Sequence, residues 1–526
     1  MPYRMLEAGP PLETLVRTEL WSRDVGFESR RTPLAVLGHI TDAHVLDAAN
    51  PARMSFLWQY MDFEEGFPTS GRFRPQDLLT VHVLDATVRT FNALGRGPVS
   101  GRPVDCLAVT GDLTNASALS ELIPALGVFQ GGSVSSHPGG PYEGIQDDGR
   151  APRSLARSVW HPEPAEASVT PDTWKSRYGY PSVPGFLAAA VAPLRAEGSA
   201  VPWHLGFGNH DEAGRSKGVS VSAGALLADG LRTGDRLTLE LPQGMNRTDF
   251  WQMAEGGTKN RKTLLAAMPS RRVRGSDSRR LFSRAEFVEN LGSSGGTPVA
   301  ADAEGKLYYS FRLSEDVIGI MLNSASPEGG TRAVIDGDQA TWLESQLRRV
   351  SGTFYDKAGN RVRTQTEDRL VVLFTHHPSL SFDGDAIQPG SDVESLTKKG
   401  MLDVIGRYPN VVLWLNGHRH KHKITAHKGR SGKGGCWEIT TASLIDFPQQ
   451  SRVVELMDNG DGSLSVLATL LDHSAPDTVR YEGPQTRSSL AALSMELAMN
   501  RPGLDRDAVM GGPEDQNVEL LLEKPF

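Results

Sequence analysis

The chain has 526 residues, of which 39% are hydrophobic and 22% are charged, as in ordinary soluble globular proteins. The formal net charge of -8 argues against broad, sequence-independent binding to nucleic acid or to an anionic membrane. Two cysteines far apart in sequence and the lack of a long apolar run argue against a disulfide framework and a membrane span, so we expect a cytoplasmic protein.

Five short apolar runs are predicted to be buried strands, and each one ends at a polar cluster. In chain order they are 34–40 before Thr41-Asp42-Ala43-His44, 104–110 before Gly111-Asp112-Leu113-Thr114-Asn115, 203–207 before Gly208-Asn209-His210-Asp211, 370–374 before Thr375-His376-His377-Pro378, and 411–415 before Asn416-Gly417-His418-Arg419-His420. Helical spacing of apolar residues lies between them, at 78–91 and at 338–347. This alternation is typical of an α/β sheet whose carboxyl edge carries the functional site.

The remaining segments are predicted to surround one large domain at 34–475, after an N-terminal extension at 1–33. Residues 130–185 and 212–305 show no sustained periodicity and are predicted to be insertions in loops. A second, partly antiparallel sheet is predicted from apolar runs at 308–313, 317–322, 437–445, 452–457 and 464–471. Residues 476–526 are predicted to be a polar tail with one helix near 488–499.

The five polar clusters together contain carboxylates, an amide and several imidazoles. Taken singly, an aspartate after a strand is usually a turn former, and a lone histidine is more often structural than a ligand. If the strand ends converge, however, the combined set suits two divalent or trivalent cations such as Mn, Fe or Zn.

These clusters carry a specific family resemblance. Asp42-x-His44, Gly111-Asp112, Gly208-Asn209-His210-Asp211, His376-His377-Pro378 and Gly417-His418-x-His420 resemble, in that order, the five motifs of the calcineurin-like metallophosphoesterase superfamily. The long insertions and the stretch 445–450 are most similar to a group of large bacterial members without an assigned substrate. The resemblance implies a four-layer α/β/β/α sandwich of two mixed sheets with large loop insertions.

The resemblance also implies a role for each matching residue. Asp42, His44 and His420 would hold one metal ion, Asn209, His376 and His418 would hold the other, and Asp112 would bridge both. A hydroxide between the ions would attack phosphorus, and His210 would stabilise the developing charge or protonate the leaving oxygen. Asp211 would orient that imidazole or cap a helix, and the weaker substrate contacts would be His377, Asn115 and Asp446.

The sequence departs from two subgroups of the family. The segment Gly111-Asp112-Leu113-Thr114-Asn115 lacks the acidic residue and the arginine that follow this motif in Ser/Thr protein phosphatases, and no tyrosine lies beside Asp112 as in purple acid phosphatases. We therefore expect a phosphodiesterase or a small-molecule phosphomonoesterase, with a small phosphate ester as its partner and no predicted oligomeric state.

Two alternatives remain at this stage. The arginine-rich segment 271–284 suggests a nuclease, although the negative net charge makes nucleic acid an unfavoured partner. A non-catalytic protein could use the same fold for structural metal or partner binding, but the intact His210 disfavours that interpretation. A last expectation concerns Asn416-Gly417-His418-Arg419-His420-Lys421-His422-Lys423: an extended backbone past Leu415 would point His418, His420 and His422 to one side.

Overall fold

The computed structural model describes residues 3–21, 31–60, 73–147, 153–164, 171–213, 223–294, 306–382, 395–429, 435–476 and 478–526. Its strands are β1 (Leu15–Leu20), β2 (Thr32–Ile40), β3 (Cys106–Val109), β4 (Gly132–Val134), β5 (Leu194–Ala196), β6 (Trp203–Leu205), β7 (Arg236–Thr238), β8 (Ser270–Arg272), β9 (Tyr309–Arg312), β10 (Val317–Met321), β11 (Thr353–Tyr355), β12 (Arg361–Arg363), β13 (Leu370–Phe374), β14 (Val411–Asn416), β15 (Lys423–Lys428), β16 (Gly435–Thr440), β17 (Ser451–Asp458), β18 (Ser463–Leu471) and β19 (Val518–Glu523). Its helices are α1 (Thr80–Leu94), α2 (Leu119–Gln130), α3 (Arg153–Ser158), α4 (Thr173–Tyr178), α5 (Phe186–Val191), α6 (Ala223–Asp229), α7 (Arg247–Glu255), α8 (Thr258–Ala267), α9 (Arg284–Ser293), α10 (Gly337–Arg349), α11 (Lys398–Arg407), α12 (Arg487–Met499) and α13 (Arg506–Met510).

Two mixed sheets dominate the described part of the chain. The seven-stranded sheet has the order β1-β19-β18-β17-β2-β3-β6, and the six-stranded sheet has the order β15-β16-β14-β13-β10-β9. Strands β2, β3 and β6 run parallel to one another, and so do β13 and β14. The strands that precede the five motifs therefore end at the same edge of their respective sheets.

The side chains of β13 show how the layers are stacked. Its alternate residues Val372 and Phe374 belong to the core shared with the seven-stranded sheet, whereas Val371 and Leu373 pack with the helices α10 and α11. Successive side chains of a strand point to opposite faces, so the six-stranded sheet lies between the other sheet and these two helices.

Helix α1 lies against the seven-stranded sheet and follows the predicted pattern. Its buried residues Val81, Leu84, Val88 and Phe91 recur at three- and four-residue steps and belong to the same core as that sheet. The helix ends at Gly95, whose φ of 61° permits the left-handed cap that returns its N–H to a carbonyl of the last turn. With α1 and α2 on one side and α10 and α11 on the other, the fold is the predicted α/β/β/α sandwich.

The assignment of strands to sheets differs from the sequence-based prediction. Strand β17 pairs with β2, and β18 pairs with β17, so both belong to the seven-stranded sheet and not to the sheet of β9, β10 and β16. The strands before the five motifs are likewise divided between the two sheets. Apolar patterning identifies buried strands, but it does not determine which strand pairs with which over long sequence distances.

The inserted segments are more regular than predicted. The described parts of 130–185 and 212–305 contain α3, α4 and α6 to α9. Their residues Trp174, Phe250 and Leu264 form a separate core with Trp58, whereas α9 packs in the main core through Phe287. The prediction of loops is wrong here because helices of six to ten residues are too short to show a sustained apolar period. Residues 148–152, 165–170, 214–222 and 295–305 lie outside the described part.

Both ends of the chain contribute to the larger sheet. Helix α12 packs on α1, and β19 pairs with β18 on one side and with β1 on the other. The prediction of a polar tail at 476–526 is therefore wrong, because the apolar run at 518–522 is buried as a sheet strand. The predicted extension at 1–33 also contributes to the sheet through β1, while its residues 22–30 are outside the described part. None of the described helices has both the length and the apolar character that crossing a membrane requires.

Candidate metal centre

The five predicted motifs meet at the carboxyl edge of the two sheets. Within the seven-stranded sheet, the backbone N–H of Asp42 donates to Gly111 O at 3.1 Å. Within the six-stranded sheet, the N–H of Gly417 donates to His376 O at 2.9 Å. Across the two sheets, the N–H of His418 donates to Asp42 Oδ2 at 2.8 Å. The convergence on which the sequence-based hypothesis depended is thus present.

Five of the predicted metal ligands have a left-handed backbone. The φ angles are 52° at Asp42, 42° at His44, 50° at Asp112, 67° at His418 and 49° at His420. Residues with a side chain rarely adopt this conformation, and such strain is concentrated at functional sites where the surrounding fold imposes it.

Two motif glycines allow these loops to approach one another closely. A Cβ on Gly208 would clash with the backbone and carboxylate of Asp112, and a Cβ on Gly417 would clash with Thr41 and Asp42. These positions need glycine because other chain segments occupy the space of a side chain.

The first group of donors consists of Asp42, His44 and His420. His420 Nε2 lies 3.3 Å from Asp42 Oδ1 and 3.2 Å from His44 Nε2. His44 Nε2 lies 3.7 Å from the same carboxylate oxygen. Three ligand atoms therefore face one point, as the family resemblance implied.

The second group of donors consists of Asn209, His376 and His418 beside Asp112. His376 Nε2 lies 3.1 Å from Asn209 Oδ1 and 3.1 Å from Asp112 Oδ2. The ring centroids of His376 and His418 are 5.1 Å apart. Asp112 Oδ2 is also 3.5 Å from His44 Nε2, so this one carboxylate lies between the two groups.

The buried charges of the two groups act strongly on one another. Against the effect of burial, attraction to Asp112 and Asp42 raises the pKa of His376 to about 9. In the same way, the neighbouring carboxylates of Asp42 and Asp446 overcome burial and raise the pKa of His420 to about 10. Each donor group thus favours a proton on one of its imidazoles, and a cation can bind there only when that imidazole loses its proton.

The other two imidazoles are held neutral. Burial, together with repulsion from His210, lowers the pKa of His44 to about 4. Burial and repulsion from His376 lower the pKa of His418 to about 3. Neutral imidazoles offer the lone pair that a metal ion requires.

An unsatisfied carboxylate oxygen tests whether metal ions fit this site. Asp42 Oδ1 is buried and has no hydrogen-bond donor among the residues that the structure describes. The Nε2 atoms of His420, His44 and His376 nevertheless lie 3.3, 3.7 and 4.0 Å from it. A buried oxygen without a partner destabilises the fold, and a cation among these donors would satisfy it. The mixture of carboxylate, amide and imidazole donors fits two ions of the Mn, Fe or Zn type.

His210 is exposed at the same edge, and two hydrogen bonds hold it in place, one from its backbone N–H and one from its ring. Its N–H donates to Asp112 Oδ1 at 2.7 Å, and its Nδ1–H donates to the carbonyl of Asn115 at 2.7 Å. The Nε2 atom is therefore the ring nitrogen available for another partner. Asn115, predicted as a substrate contact, lines the adjacent cavity, and its carbonyl contacts the ring of His210.

Asp211 does not orient the ring of His210. Its Oδ1 accepts hydrogen bonds from the N–H and hydroxyl of Thr114 at 2.8 and 2.9 Å, and its Oδ2 accepts from Gly208 N and Leu113 N at 3.0 and 3.2 Å. Burial and the charge of Asp112 raise the pKa of Asp211 to about 6. The predicted catalytic role is wrong, and Asp211 instead joins the loops after β3 and β6.

His377 is not exposed to substrate. Its side chain is fully buried, does not line the cavity and bonds through Nδ1 to Ser324 Oγ at 2.9 Å. Its ring lies 4.3 Å from that of His418, beside the second donor group. The predicted substrate contact is therefore wrong, because the histidine lies behind the site.

Asp446 contacts a predicted ligand. Its Oδ2 accepts from His420 Nδ1 at 2.8 Å, and its Oδ1 accepts from Arg74 Nε at 2.7 Å and from Arg501 Nη1 at 3.4 Å. Asp446, Arg74 and Arg501 also line the adjacent cavity, so the predicted substrate contact of Asp446 stays a prediction beside these contacts within the protein. Neither arginine could be predicted from the sequence, because both are isolated residues in segments without a motif.

The backbone after β14 is not extended. His418 and His420 are left-handed, and the fully buried His422 points away from the donors. Its Nδ1 accepts from Ala442 N at 3.2 Å, and its Nε2 donates to Gln450 Oε1 at 3.0 Å. The expectation that the three histidines share one side is wrong, and His422 is structural.

A cavity of about 810 Å³ opens next to the two donor groups. It has His210, His418 and His420 on one side and the segment 501–509 on the other. The exposed Arg419 lies at its rim. Its volume is in the range of sites that bind small molecules.

The arginines of 271–284 do not form a free cationic strip. Arg279 pairs with the buried Asp47 at 2.7 Å, and Arg284 pairs with Glu212 at 2.6 Å. The others contact the protein as well: Arg271 with Gly144 O, Arg272 with Asp235, Arg274 with Gly139 O and Arg280 with Glu286. This removes the main observation that suggested a nuclease.

The donor set suits two metal ions, and comparisons with known proteins show what the chain is similar to. The chain is 28% identical over 158 residues to a probable cyclic nucleotide phosphodiesterase of Synechococcus sp. (strain WH7803). This match covers 27% of the chain and 51% of the relative, so the chain spans about half the length of the curated relative that it matches. The similarity confirms the resemblance predicted from the motifs.

Several solved structures are also similar to the chain, and no family model matches it. A purple acid phosphatase from yellow lupin (Lupinus luteus) is 12% identical, with 83% of this chain and 52% of the other covered and a TM-score of 0.30. A dimetal phosphatase from Danio rerio is 12% identical, with 84% and 100% covered and a TM-score of 0.29. GAP50, the anchor in the inner membrane complex of Plasmodium, is 8% identical, with 84% and 85% covered and a TM-score of 0.26.

Proposed function

We propose that this protein is a dinuclear metal-dependent phosphoric ester hydrolase that acts on small-molecule phosphate esters. The observation that carries the proposal is the position of Asp112, whose one carboxylate lies 3.5 Å from His44 Nε2 and 3.1 Å from His376 Nε2. A carboxylate between two donor groups is the arrangement that holds two cations close enough to act on one phosphoryl group.

The proposed ligands follow the two groups of donors. Asp42, His44 and His420 would hold one ion, Asn209, His376 and His418 would hold the other, and Asp112 would contact both. When bound, such ions supply Lewis acidity toward a phosphoryl oxygen and lower the pKa of water to near neutrality.

His210 is proposed as the catalytic side chain of the protein itself. Its Nδ1–H is occupied by the Asn115 carbonyl, so a proton on Nε2 would face the substrate. From there it would donate a hydrogen bond to the developing charge or transfer the proton to the leaving oxygen. The contact between His210 N and Asp112 Oδ1 keeps the ring next to the ions.

Two observations support a small diester as the preferred substrate. The cavity of about 810 Å³ extends beyond the donor groups and leaves room for both substituents of a diester. The curated relative is named a probable cyclic nucleotide phosphodiesterase.

The test is an assay of the metal-loaded protein on aryl phosphate monoesters and diesters. Mn, Zn, Fe, Co and Ni are supplied separately, and the protein treated with a chelator is the control. The proposal expects metal-dependent turnover that is faster on diesters. Absence of turnover with every metal would contradict the proposed hydrolase, and faster monoester hydrolysis would contradict the diester preference.

A further inference from the structure

We propose that Asp446 is a positioning residue that fixes His420, and that Arg74 and Arg501 in turn hold Asp446 in place. These three residues form a brace that sets how tightly the first metal ion binds. The inference rests on the proposed function, because it assumes that His420 is a metal ligand.

The contact between Asp446 and His420 defines the orientation of the imidazole. Asp446 Oδ2 lies 2.8 Å from His420 Nδ1, so Nδ1 carries the hydrogen and Nε2 presents its lone pair. That Nε2 is the atom 3.3 Å from Asp42 Oδ1 and 3.2 Å from His44 Nε2. A carboxylate that binds the far nitrogen of a ligating histidine fixes its ring and strengthens it as a ligand.

Two arginines fix the carboxylate in turn. Arg74 donates from Nε to Oδ1 at 2.7 Å and from Nη2 to Oδ2 at 3.2 Å, which is a two-point contact. Arg501 adds a longer contact to Oδ1 at 3.4 Å. The Arg74 side chain is only 7% exposed and that of Asp446 is 18% exposed, so water screens the pair weakly.

The brace reaches well beyond the strands that carry the ligands. The N–H of Arg74 donates to Asp77 Oδ2 at 3.0 Å, and the same oxygen accepts from Arg53 Nη2 at 2.7 Å. Arg501 comes from the segment after α12, near the other end of the chain. Segments remote in sequence from both sheet edges therefore meet at Asp446.

His420 is the more exposed histidine of the first donor group. Its side chain is 24% exposed, compared with 3% for His44 and fully buried His376. It also lies in a left-handed loop, with a φ of 49°. By contrast, His44 Nδ1 has no hydrogen-bond partner among the described residues. The first donor group thus depends on one braced imidazole.

The test measures metal binding of the full chain with Asp446→Asn. Elemental analysis after gel filtration gives the number of Mn ions per chain, and calorimetric titration with Mn gives the two affinities. Loss of the carboxylate should weaken one of the two sites by about 10- to 100-fold and leave the other unchanged. His420→Ala should weaken the same site, and combining it with Asp446→Asn should cause little further loss.

A matched control is Asp105→Asn. Asp105 is also bound by two atoms of an arginine, Arg102, at 3.1 and 2.9 Å, but it lies at the opposite end of β3. This variant should bind both ions with wild-type affinity. If Asp446→Asn fails to fold by circular dichroism, Asp446→Glu decides, because its longer side chain must displace His420.

The outcomes separate this inference from the proposed function. The positioning role would be overturned if Asp446→Asn bound two ions at wild-type affinity, even if the wild type hydrolyses esters. If Asp446→Asn does not fold, the same result with Asp446→Glu would overturn it. A wild type that binds two ions but hydrolyses no ester would contradict the proposed function, and selective loss of one ion in the Asp446 variant would still support the positioning role.

Discussion

The edges of the two sheets contribute different chemistry to the site. The seven-stranded sheet contributes all of the proposed oxygen donors, and the six-stranded sheet contributes only imidazoles. The first set is Asp42, Asp112 and Asn209 together with His44; the second is His376, His418 and His420. Each proposed ion draws on both edges. The site is therefore a property of the packed sandwich, and a single sheet would provide only part of either donor group.

The difference extends to how the side chains are held. His376 Nδ1 donates to Thr110 O of the opposite sheet at 3.1 Å, and the N–H of His418 donates to Asp42 Oδ2 at 2.8 Å. The histidine edge is thus positioned by the carboxylate edge. We expect substitution of Asp112, the carboxylate shared by the two donor groups, to affect both ions and a substitution on the histidine edge to affect one.

The largest expected effect is that of Asp112→Asn. The amide removes the negative charge between the two donor groups, so both ions should bind more weakly and ester hydrolysis should fall by about 10⁴-fold or more, which corresponds to several kcal/mol. Steady-state kinetics and elemental analysis measure these effects, with Asp105→Asn as the control at the other end of β3. Full activity with two bound ions would remove Asp112 from the role of shared ligand.

His418→Ala probes the histidine edge. Because this imidazole belongs to one donor group, we expect the loss of one ion, retention of the other and a fall in activity of about 10³-fold. The number of ions per chain distinguishes the two edges. If this variant lost both ions while remaining folded, the two edges would not differ as described.

His210→Ala should separate catalysis from metal binding. The side chain binds the Asn115 carbonyl through Nδ1 and is not among the proposed ligands, so both ions should stay bound. Loss of its proton donor should lower kcat by about 10²- to 10³-fold with a smaller change in KM. If the kcat of His210→Ala equalled that of the wild type, His210 would be excluded as the catalytic side chain.

The smallest effect on activity is expected for Asp211→Asn. The carboxylate accepts from Gly208, Leu113 and Thr114, and the amide group of asparagine would place N–H groups against one or more of these donors. The free energy of unfolding should fall by about 1–3 kcal/mol, while activity should fall less than tenfold. Thermal denaturation measures the first effect. A large loss of activity at unchanged stability would return Asp211 to a catalytic role.

The sequence was sufficient to predict the strands before the five motifs and the convergence of those motifs. Apolar runs such as 370–374 identify buried strands directly, and the polar cluster at their ends identifies the edge that carries the site. It could not predict that β17 pairs with β2, because strand pairing over more than 400 residues has no local signal.

The contacts of individual side chains were the least predictable. Asp211 and Asp446 both follow motif positions and carry the right chemistry, yet one joins two loops and the other binds a ligand histidine. The contact that each carboxylate makes depends on the local backbone, such as the left-handed φ of His420, and on residues distant in sequence, such as Arg74. Such details arise from packing and not from the motif itself.

The most direct test of the central claim is the number of metal ions bound per folded chain. The wild-type protein is loaded with Mn, passed through gel filtration and measured by elemental analysis, next to His418→Ala. We expect two ions in the wild type and one in the variant. A folded wild type that retains fewer than two ions when loaded with Mn, Zn or Fe would contradict a dinuclear centre shared by the two sheet edges.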